Sequence, residues 1–359
     1  MSIKNKYIGI LLIATAMLLN ACSSDNTEAQ TDTTGNEPVG KEVQLMSYAS
    51  PFTDKELARR AAPTGFTAYT LDKTTNMGVY MLLSVNPETD WASPKLERIT
   101  YNTSTKKWNA YFEVEKNKTF TVYGYMPKTG EMGSTLEKST AGAATLTISN
   151  MKPVTTDDIC IITGVKDTDS GLKEGQFSWS TPIDEVETYK ISLLMDHLYA
   201  AAQFRLKIDA EYASLRTIKL KTMTLSTDKD SVNATITLTH NTTGASPISS
   251  VTYTYTPSGT SSTTEIYNSD EGTALDKITP LSINACFAPG LSNNLTLVTT
   301  YDVYDSKGNL IRQGCTATNK LPNLNAVRGQ KVLLNMTVNP TYLYVLSDPD
   351  LDSPTIKIN

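Results

Sequence analysis

The stretch TYKISLLMDHLYAAAQFRLKI, residues 188 to 208, indicates the fold class most clearly. Apolar side chains recur at every second residue, first at Tyr189, Ile191, Leu193 and Met195 and, beyond Asp196-His197-Leu198, at Ala202, Phe204, Leu206 and Ile208. A period of two is that of a β-strand with one face buried and the other in water. The stretch therefore predicts strands that belong to the core of a β-sheet protein.

Segments with the same pattern lie on both sides of this stretch, and turn residues such as Asn86-Pro87 and Asp305-Ser306-Lys307-Gly308-Asn309 separate them. Tyr, at 18 residues, outnumbers Phe, at 7, which suits strands that bury one face. No helix longer than two or three turns is indicated. Regular short strands are typical of sandwiches rather than of β-α-β units, so we expect an all-β protein with two sandwiches joined around residues 182 to 190.

The N-terminus has the features of an export signal. Lys4 and Lys6 precede an apolar run over residues 8 to 19, which is too short to be a comfortable membrane-spanning helix. Leu19-Asn20-Ala21-Cys22 follows and resembles a bacterial lipobox, in which the signal peptidase cuts before an acylated cysteine. We expect residues 1 to 21 to be a lipoprotein signal peptide and the acylated Cys22 to anchor the chain to a membrane.

A polar tether over residues 23 to 41 leads to an isolated strand pattern and then to a pair of arginines. The strand has one face made of Val43, Leu45, Ser47 and Ala49. Arg59 and Arg60 come next, followed by Ala61, Ala62, Pro63 and Gly65, which leave the backbone accessible and break regular structure. This placement favours proteolysis after Arg59 or Arg60, with Arg60 preferred, over a short charged helix at residues 53 to 61.

The sequence gives no support for nucleic-acid binding, for a metal site or for enzymatic activity. A net charge of −5 gives no basic surface for nucleic acid. The only histidines are His197 and His240, and no Cys-x-x-Cys or Cys/His spacing indicates a metal site. We expect a hydrogen-bonded structural role for His197, no cofactor, no metal and no enzymatic activity. Cys286 and Cys315 either form a disulfide or, in the preferred interpretation, are buried free thiols. Cys160 is also expected to be a buried free thiol.

An alternative function, carbohydrate binding, is suggested by the three tryptophans, Trp91, Trp108 and Trp179. If these rings converged on one exposed face, they would form a platform for stacking on sugars. Half-buried strand positions are the more common place for tryptophan, so carbohydrate binding is the weaker interpretation.

The layout of lipobox, tether, isolated strand, Arg59-Arg60 and two β-sandwiches resembles the fimbrillin family of Bacteroidales, the type V pilins. The resemblance implies two tandem transthyretin-like sandwiches with Greek-key-type connections, at residues 61 to 186 and 187 to 340. It also implies a lipidated propeptide at residues 22 to 60, removed by an arginine-specific protease at the cell outer membrane, and a strand-like appendage at residues 341 to 359.

By this resemblance the chain is a fimbrial subunit that polymerises by donor-strand exchange, in which the strand at residues 43 to 49 is displaced by a strand of another subunit. The donor candidates lie in the appendage, at Tyr342, Leu343, Tyr344, Val345, Leu346, Ile356 and Ile358. Expected partners are copies of the chain, other fimbrial subunits, the protease, outer-membrane lipid and a host or bacterial surface ligand. The alternatives are a fimbrial anchor, a tip subunit, and a glycan-binding surface lipoprotein.

Overall fold

The structure is a computed structural model of the 359-residue chain. It describes residues 40–49, 52–54, 67–68, 80–87, 95–102, 104–105, 107–128, 132–138, 143–168, 170–239, 250–291, 295–321, 327–342 and 349–358.

The first half of the chain contributes thirteen short strands to the described residues: β1 (Lys41–Ala49), β2 (Thr53–Asp54), β3 (Thr67–Ala68), β4 (Tyr80–Pro87), β5 (Glu97–Asn102), β6 (Lys107–Asn109), β7 (Tyr111–Phe112), β8 (Thr119–Lys128), β9 (Gly133–Lys138), β10 (Ala143–Met151), β11 (Val154–Thr155), β12 (Cys160–Lys166) and β13 (Ser178–Ser180). Eleven more follow: β14 (Thr188–His197), β15 (Ala200–Ile208), β16 (Arg216–Thr227), β17 (Ser231–Thr239), β18 (Ser250–Ser258), β19 (Ser262–Ala274), β20 (Leu281–Phe287), β21 (Leu295–Asp305), β22 (Leu310–Leu321), β23 (Gln330–Tyr342) and β24 (Pro349–Ile358).

The all-β class predicted from the sequence is confirmed. A single 3₁₀ turn at Tyr212–Ser214 is the one helical element of the described residues. Thr53–Asp54, part of the segment for which a short helix was the alternative, is a strand instead. None of the described residues forms a helix with the length and apolar character needed to cross a bilayer.

The first sheet has ten strands and closes on itself through β1. Its order is β3-β1-β14-β12-β8-β4-β5-β6, and β13 pairs with β8. At the far end the chain leaves β6, passes Ala110 and enters β7, which pairs with β1 at the opposite end of the sheet. The sheet therefore curls around an apolar core that includes Val43, Trp108 and Trp179.

The second sheet packs on the outer face of the first and joins both halves of the chain. Its order is β18-β17-β10-β9, so the central pair joins β10 from the first half to β17 from the second. Alternating apolar residues of β10 and β17 meet residues such as Tyr123 and Ile161 of the first sheet in one buried cluster. This arrangement is a sandwich of two sheets.

The third and fourth sheets form another sandwich. The third has the order β11-β20-β15-β23-β2, with β24 on β23, and the fourth has the order β19-β16-β21-β22. Phe204 and Leu206 of β15 face Leu220 and Leu297 of the fourth sheet in their shared core. The period of two in residues 200 to 208 is thus the buried face of a central strand.

The chain moves between these sheets more than once. β14 begins at Thr188, just after the predicted domain boundary, but it pairs with β1 and β12 of the first sheet. β15 then lies in the third sheet, and β17 and β18 return to the second sheet. Strands from both sides of residue 187 therefore share sheets, and the division of the chain into two domains stays a prediction.

Candidate functional site

The strand predicted at residues 43 to 49 is present as β1, and it has neighbours on both edges. On one edge it runs parallel to β14, with eight consecutive residue pairs from Glu42 and Thr188 to Ala49 and Met195. On the other edge it meets β7 at its start and β3 at its end. The backbone N–H of Val43 donates to the carbonyl oxygen of Ala110, with 2.9 Å between the two atoms. We call the space that β1 occupies between β14 and the segment Ala110–Phe112 the β1 slot.

The inner face of β1 completes the core of the first sheet. Val43 is 0% exposed, Leu45 is 8% exposed and Ala49 is 5% exposed, whereas Ser47 is half-buried. These side chains pack in the same cluster as Phe112 and Tyr189. The slot is therefore lined by apolar side chains and flanked by backbone groups that hydrogen-bond to β1.

Polar contacts around β1 lie at the surface. Lys41 Nζ is 3.1 Å from Glu185 Oε1, Lys107 Nζ is 3.9 Å from Glu42 Oε1, and Thr188 Oγ1 donates to Glu42 Oε2 at 3.3 Å. Exposed ion pairs of this kind contribute little to stability. Retention of β1 thus depends on its apolar face and its backbone hydrogen bonds.

The C-terminal strand β24 lies on the outer edge of β23. It pairs antiparallel from Met336 and Ile358 to Tyr342 and Pro349. Ile356 is 3% exposed and belongs to the core of the third and fourth sheets. Asn319 Nδ2 donates to the carbonyl oxygen of Ile356 at 2.8 Å. Within this chain, the donor candidates Ile356 and Ile358 therefore lie in an edge strand that pairs with β23.

The other predicted site residues are not all described. Tyr342 is the last residue of β23, and Ile358 is half-buried against the same core. Cys22, Arg59, Arg60 and Ala61 lie outside the described residues, as do Leu343, Tyr344, Val345 and Leu346.

The sugar-stacking platform proposed from the tryptophans does not form from Trp108 and Trp179. Trp108 is 7% exposed and Trp179 is 1% exposed, and both belong to the core inside the first sheet. The ring of Trp108 meets Tyr101 edge-on, with 5.2 Å between centroids, and the ring of Trp179 is tilted against Phe120, with 5.6 Å between centroids. Trp91 lies outside the described residues. The two described rings fill the core and present no open face to a glycan.

A cluster of three donor side chains, which the sequence did not predict, lies between β12 and β14. Cys160 is the direct cross-strand partner of His197, and Asp158 precedes Cys160 by two residues. His197 Nδ1 is 2.6 Å from Asp158 Oδ2 and 3.5 Å from Cys160 Sγ, and Cys160 Sγ is 3.4 Å from Asp158 Oδ2. Because Cys160 and His197 are 37 residues apart, no spacing motif could reveal this cluster.

The geometry of this cluster does not fit a catalytic triad. Both Asp158 and Cys160 contact the same nitrogen of His197, whereas a triad needs the acid at one ring nitrogen and the nucleophile at the other. Burial raises the pKa of the Cys160 thiol well above its usual value, and Asp158 raises it further. The thiol is therefore protonated at neutral pH and is a poor nucleophile.

Beside this cluster, Arg328 connects β14 to the second sheet. Its guanidinium pairs with Asp196 and donates to the carbonyl oxygen of His197 at 3.0 Å. It also lies 3.8 Å from the ring centroid of Tyr253. Burial works to lower the pKa of Arg328, but Tyr253 and Asp196 outweigh it and raise the pKa. Phe52 stacks on the His197 ring, with 3.7 Å between centroids.

The expectation of unpaired cysteines is confirmed for the described residues. Cys160 and Cys286 are buried thiols, and Cys315 is a half-buried thiol. The predicted structural role of His197 agrees with its burial and its hydrogen bonds, although its side-chain partner is Asp158, while Asp196 accepts a hydrogen bond from its backbone N–H at 2.9 Å.

No family model and no curated protein matches the sequence. Among solved structures, a candidate cell adhesion protein from Bacteroides ovatus is 13% identical with a TM-score of 0.40, over 90% of this chain and 96% of that chain. A fimbrial protein from Bacteroides vulgatus is 15% identical with a TM-score of 0.38, over 88% and 98% of the two chains. The fimbrial anchor protein Mfa2 from Porphyromonas gingivalis is 11% identical with a TM-score of 0.28, over 88% and 97%.

These solved structures are of the kind that the sequence resembles.

Proposed function

We propose that this chain is a structural subunit of a cell-surface fimbria, exported as a lipoprotein through Cys22 and assembled by strand exchange at the β1 slot. One observation carries the proposal: β1 closes the first sheet, yet it precedes Arg59-Arg60 in the chain. A cut after either arginine would leave β1 attached by noncovalent contacts alone. The chain would then lie at the outer membrane before processing and in an extracellular fimbria afterwards.

Loss of β1 would leave a site shaped for another strand. The edge of β14 would offer unpaired N–H and C=O groups over Thr188–Met195, and Val43 and Leu45 would leave apolar space between Phe112 and Tyr189. Each large apolar side chain that refills such a space contributes roughly 1.5–3 kcal/mol. A strand from a second subunit with a matching apolar face would therefore bind by β-augmentation.

The C-terminal segment is the best donor that the chain offers. β24 pairs with β23 alone among the described strands, so it can leave its edge without breaking a second described strand pair. From the last residue of β23 onwards, the alternation of the sequence predicts a strand with Tyr342, Tyr344 and Leu346 on one face and Leu343 and Val345 on the other. Because donor and slot belong to different surfaces, repeated exchange would build an open filament.

The test compares three forms of the chain in cells that assemble surface fimbriae. Wild-type protein extracted from the surface should begin at Arg60 or Ala61 by N-terminal sequencing and should form polymers. The double variant Arg59→Ala, Arg60→Ala should remain a lipid-attached monomer, while Arg312→Ala, a change at an exposed arginine of β22, should polymerise normally. Normal polymers from the double variant would refute cleavage as the switch.

Truncation after Pro340 tests the donor. The truncated subunit should be able to accept a strand from another subunit but not to provide one, so alone it should form no filaments. Removal of Asn359 alone is the matched control and should have no effect. Unchanged polymerisation of the truncated chain would mean that the donor strand lies in another part of the chain. An uncut chain with an acylated Cys22 in mature fimbriae would favour the anchor role.

A further inference from the structure

We propose that Asp158, Cys160 and His197 form a binding site for a single divalent cation of borderline softness, for which Zn²⁺ is the best match. All three ligands come after Arg59-Arg60 in the chain and belong to neither β1 nor β24, so they stay with the subunit when strands exchange. One carboxylate oxygen, one thiol sulfur and one imidazole nitrogen come together here, and these are the three kinds of protein ligand that Zn²⁺ takes.

The spacing of the three donor atoms fits one ion. Asp158 Oδ2, Cys160 Sγ and His197 Nδ1 form a triangle with sides of 2.6, 3.4 and 3.5 Å. Zinc lies about 2.0–2.3 Å from such ligands. A point about 2.1 Å from all three atoms exists roughly 1 Å off the plane of the triangle, given those bond lengths. Only small side-chain movements are needed to accept the ion.

The surrounding strands hold these ligands in place. Cys160 and His197 face each other across the β12–β14 ladder, and the backbone N–H of Leu198 donates to the carbonyl oxygen of Ile159 at 2.7 Å. Cys160 and His197 are buried. A site built on paired strands needs little reorganisation on binding, which favours affinity.

The charges of the three ligands and the limited contact of the site with water also suit a cation. A carboxylate, a thiolate and a neutral imidazole together balance a divalent charge, and metal binding deprotonates a coordinating thiol. Asp196, the other acidic side chain beside His197, is already paired with Arg328. In the uncut chain, Phe52 covers one face of the imidazole ring and limits its contact with water. The fourth position of a tetrahedral ion would be left to water.

The test uses the untagged full-length chain, purified in detergent and stripped with a chelator. Titration with Co²⁺ should give one equivalent of binding and a thiolate-to-cobalt charge-transfer absorption, which Zn²⁺ should abolish by displacement. Cys160→Ser should lose this absorption. Cys315→Ser is the matched control, because Cys315 is also a free thiol but lies in the fourth sheet, and it should keep the absorption.

Asp158→Asn keeps the size of the side chain and its capacity for hydrogen bonding, and it should weaken Zn²⁺ binding in calorimetry by more than about tenfold. This variant decides the matter if circular dichroism shows that Cys160→Ser does not fold. Absence of stoichiometric Co²⁺ or Zn²⁺ binding by the wild-type chain would overturn the proposal, as would unchanged affinity in Asp158→Asn or loss of the absorption in Cys315→Ser.

Discussion

The backbone N–H of Val43 donates to the carbonyl oxygen of Ala110, with 2.9 Å between nitrogen and oxygen. On its other edge, the same residue lies opposite Tyr189 of the parallel strand β14. Val43 thus hydrogen-bonds to one side of the β1 slot and lies in register with β14 on the other side, and in this way it helps to close the first sheet. Because its neighbours come from distant parts of the chain, the contribution of β1 to stability can be measured by changing β1 alone.

Leu45→Ala should lower the free energy of unfolding of the uncleaved chain by about 2–3 kcal/mol, because it leaves a cavity in the core of the first sheet. Gln44→Ala is the matched control on the opposite face of β1, and it should change the free energy by no more than about 0.5 kcal/mol. Urea denaturation measures both. Equal effects of the two substitutions would contradict the assigned inner face.

Ile356→Asp should detach β24 without unfolding the rest of the chain, because it would place an unpaired charge in the core of the third and fourth sheets. Backbone amides of Met336–Asn339 that face β24 should then exchange faster with deuterium. The exposed neighbour Lys357, changed to Ala, should leave exchange as in the wild type. Protection that survives Ile356→Asp would mean that β24 is held by its backbone pairing alone.

Arg328→Ala should destabilise the chain by about 1–3 kcal/mol, because it leaves Asp196 and the carbonyl oxygen of His197 without the guanidinium. Arg328→Lys should fall between wild type and Arg328→Ala, since an ammonium keeps the charge but loses the contact of the guanidinium with the Tyr253 ring. Denaturant unfolding provides the measurement. A double-mutant cycle with Asp196→Asn should give a coupling energy different from zero, and additive effects would argue against the pair.

The tryptophans allow a direct test of glycan binding. In a Trp91→Phe background, emission from Trp108 and Trp179 should resist quenching by iodide until the protein unfolds, because both rings are buried. Added oligosaccharides should leave this emission unchanged. Quenching in the folded protein, or a response to sugars, would contradict the burial of these rings.

Much of the strand content could be predicted from the sequence, whereas the partners of each strand could not. The alternation over Lys41–Ala49 predicted a strand with Val43 and Leu45 on one face, and both are buried. Nothing in that alternation indicates parallel pairing with β14, 146 residues away, or that β7 closes the other edge. The cluster of Asp158, Cys160 and His197 escaped prediction for the same reason.

The sequence by itself determined the all-β class and the buried faces of the strands, because a strand's side chains alternate between its two faces whatever lies next to it. Only the tertiary structure decided that β1 closes the first sheet, that strands from both halves share the second sheet, and that Cys160 meets His197. Those results depend on register between distant strands, which the combined burial of several apolar faces selects and no single segment encodes.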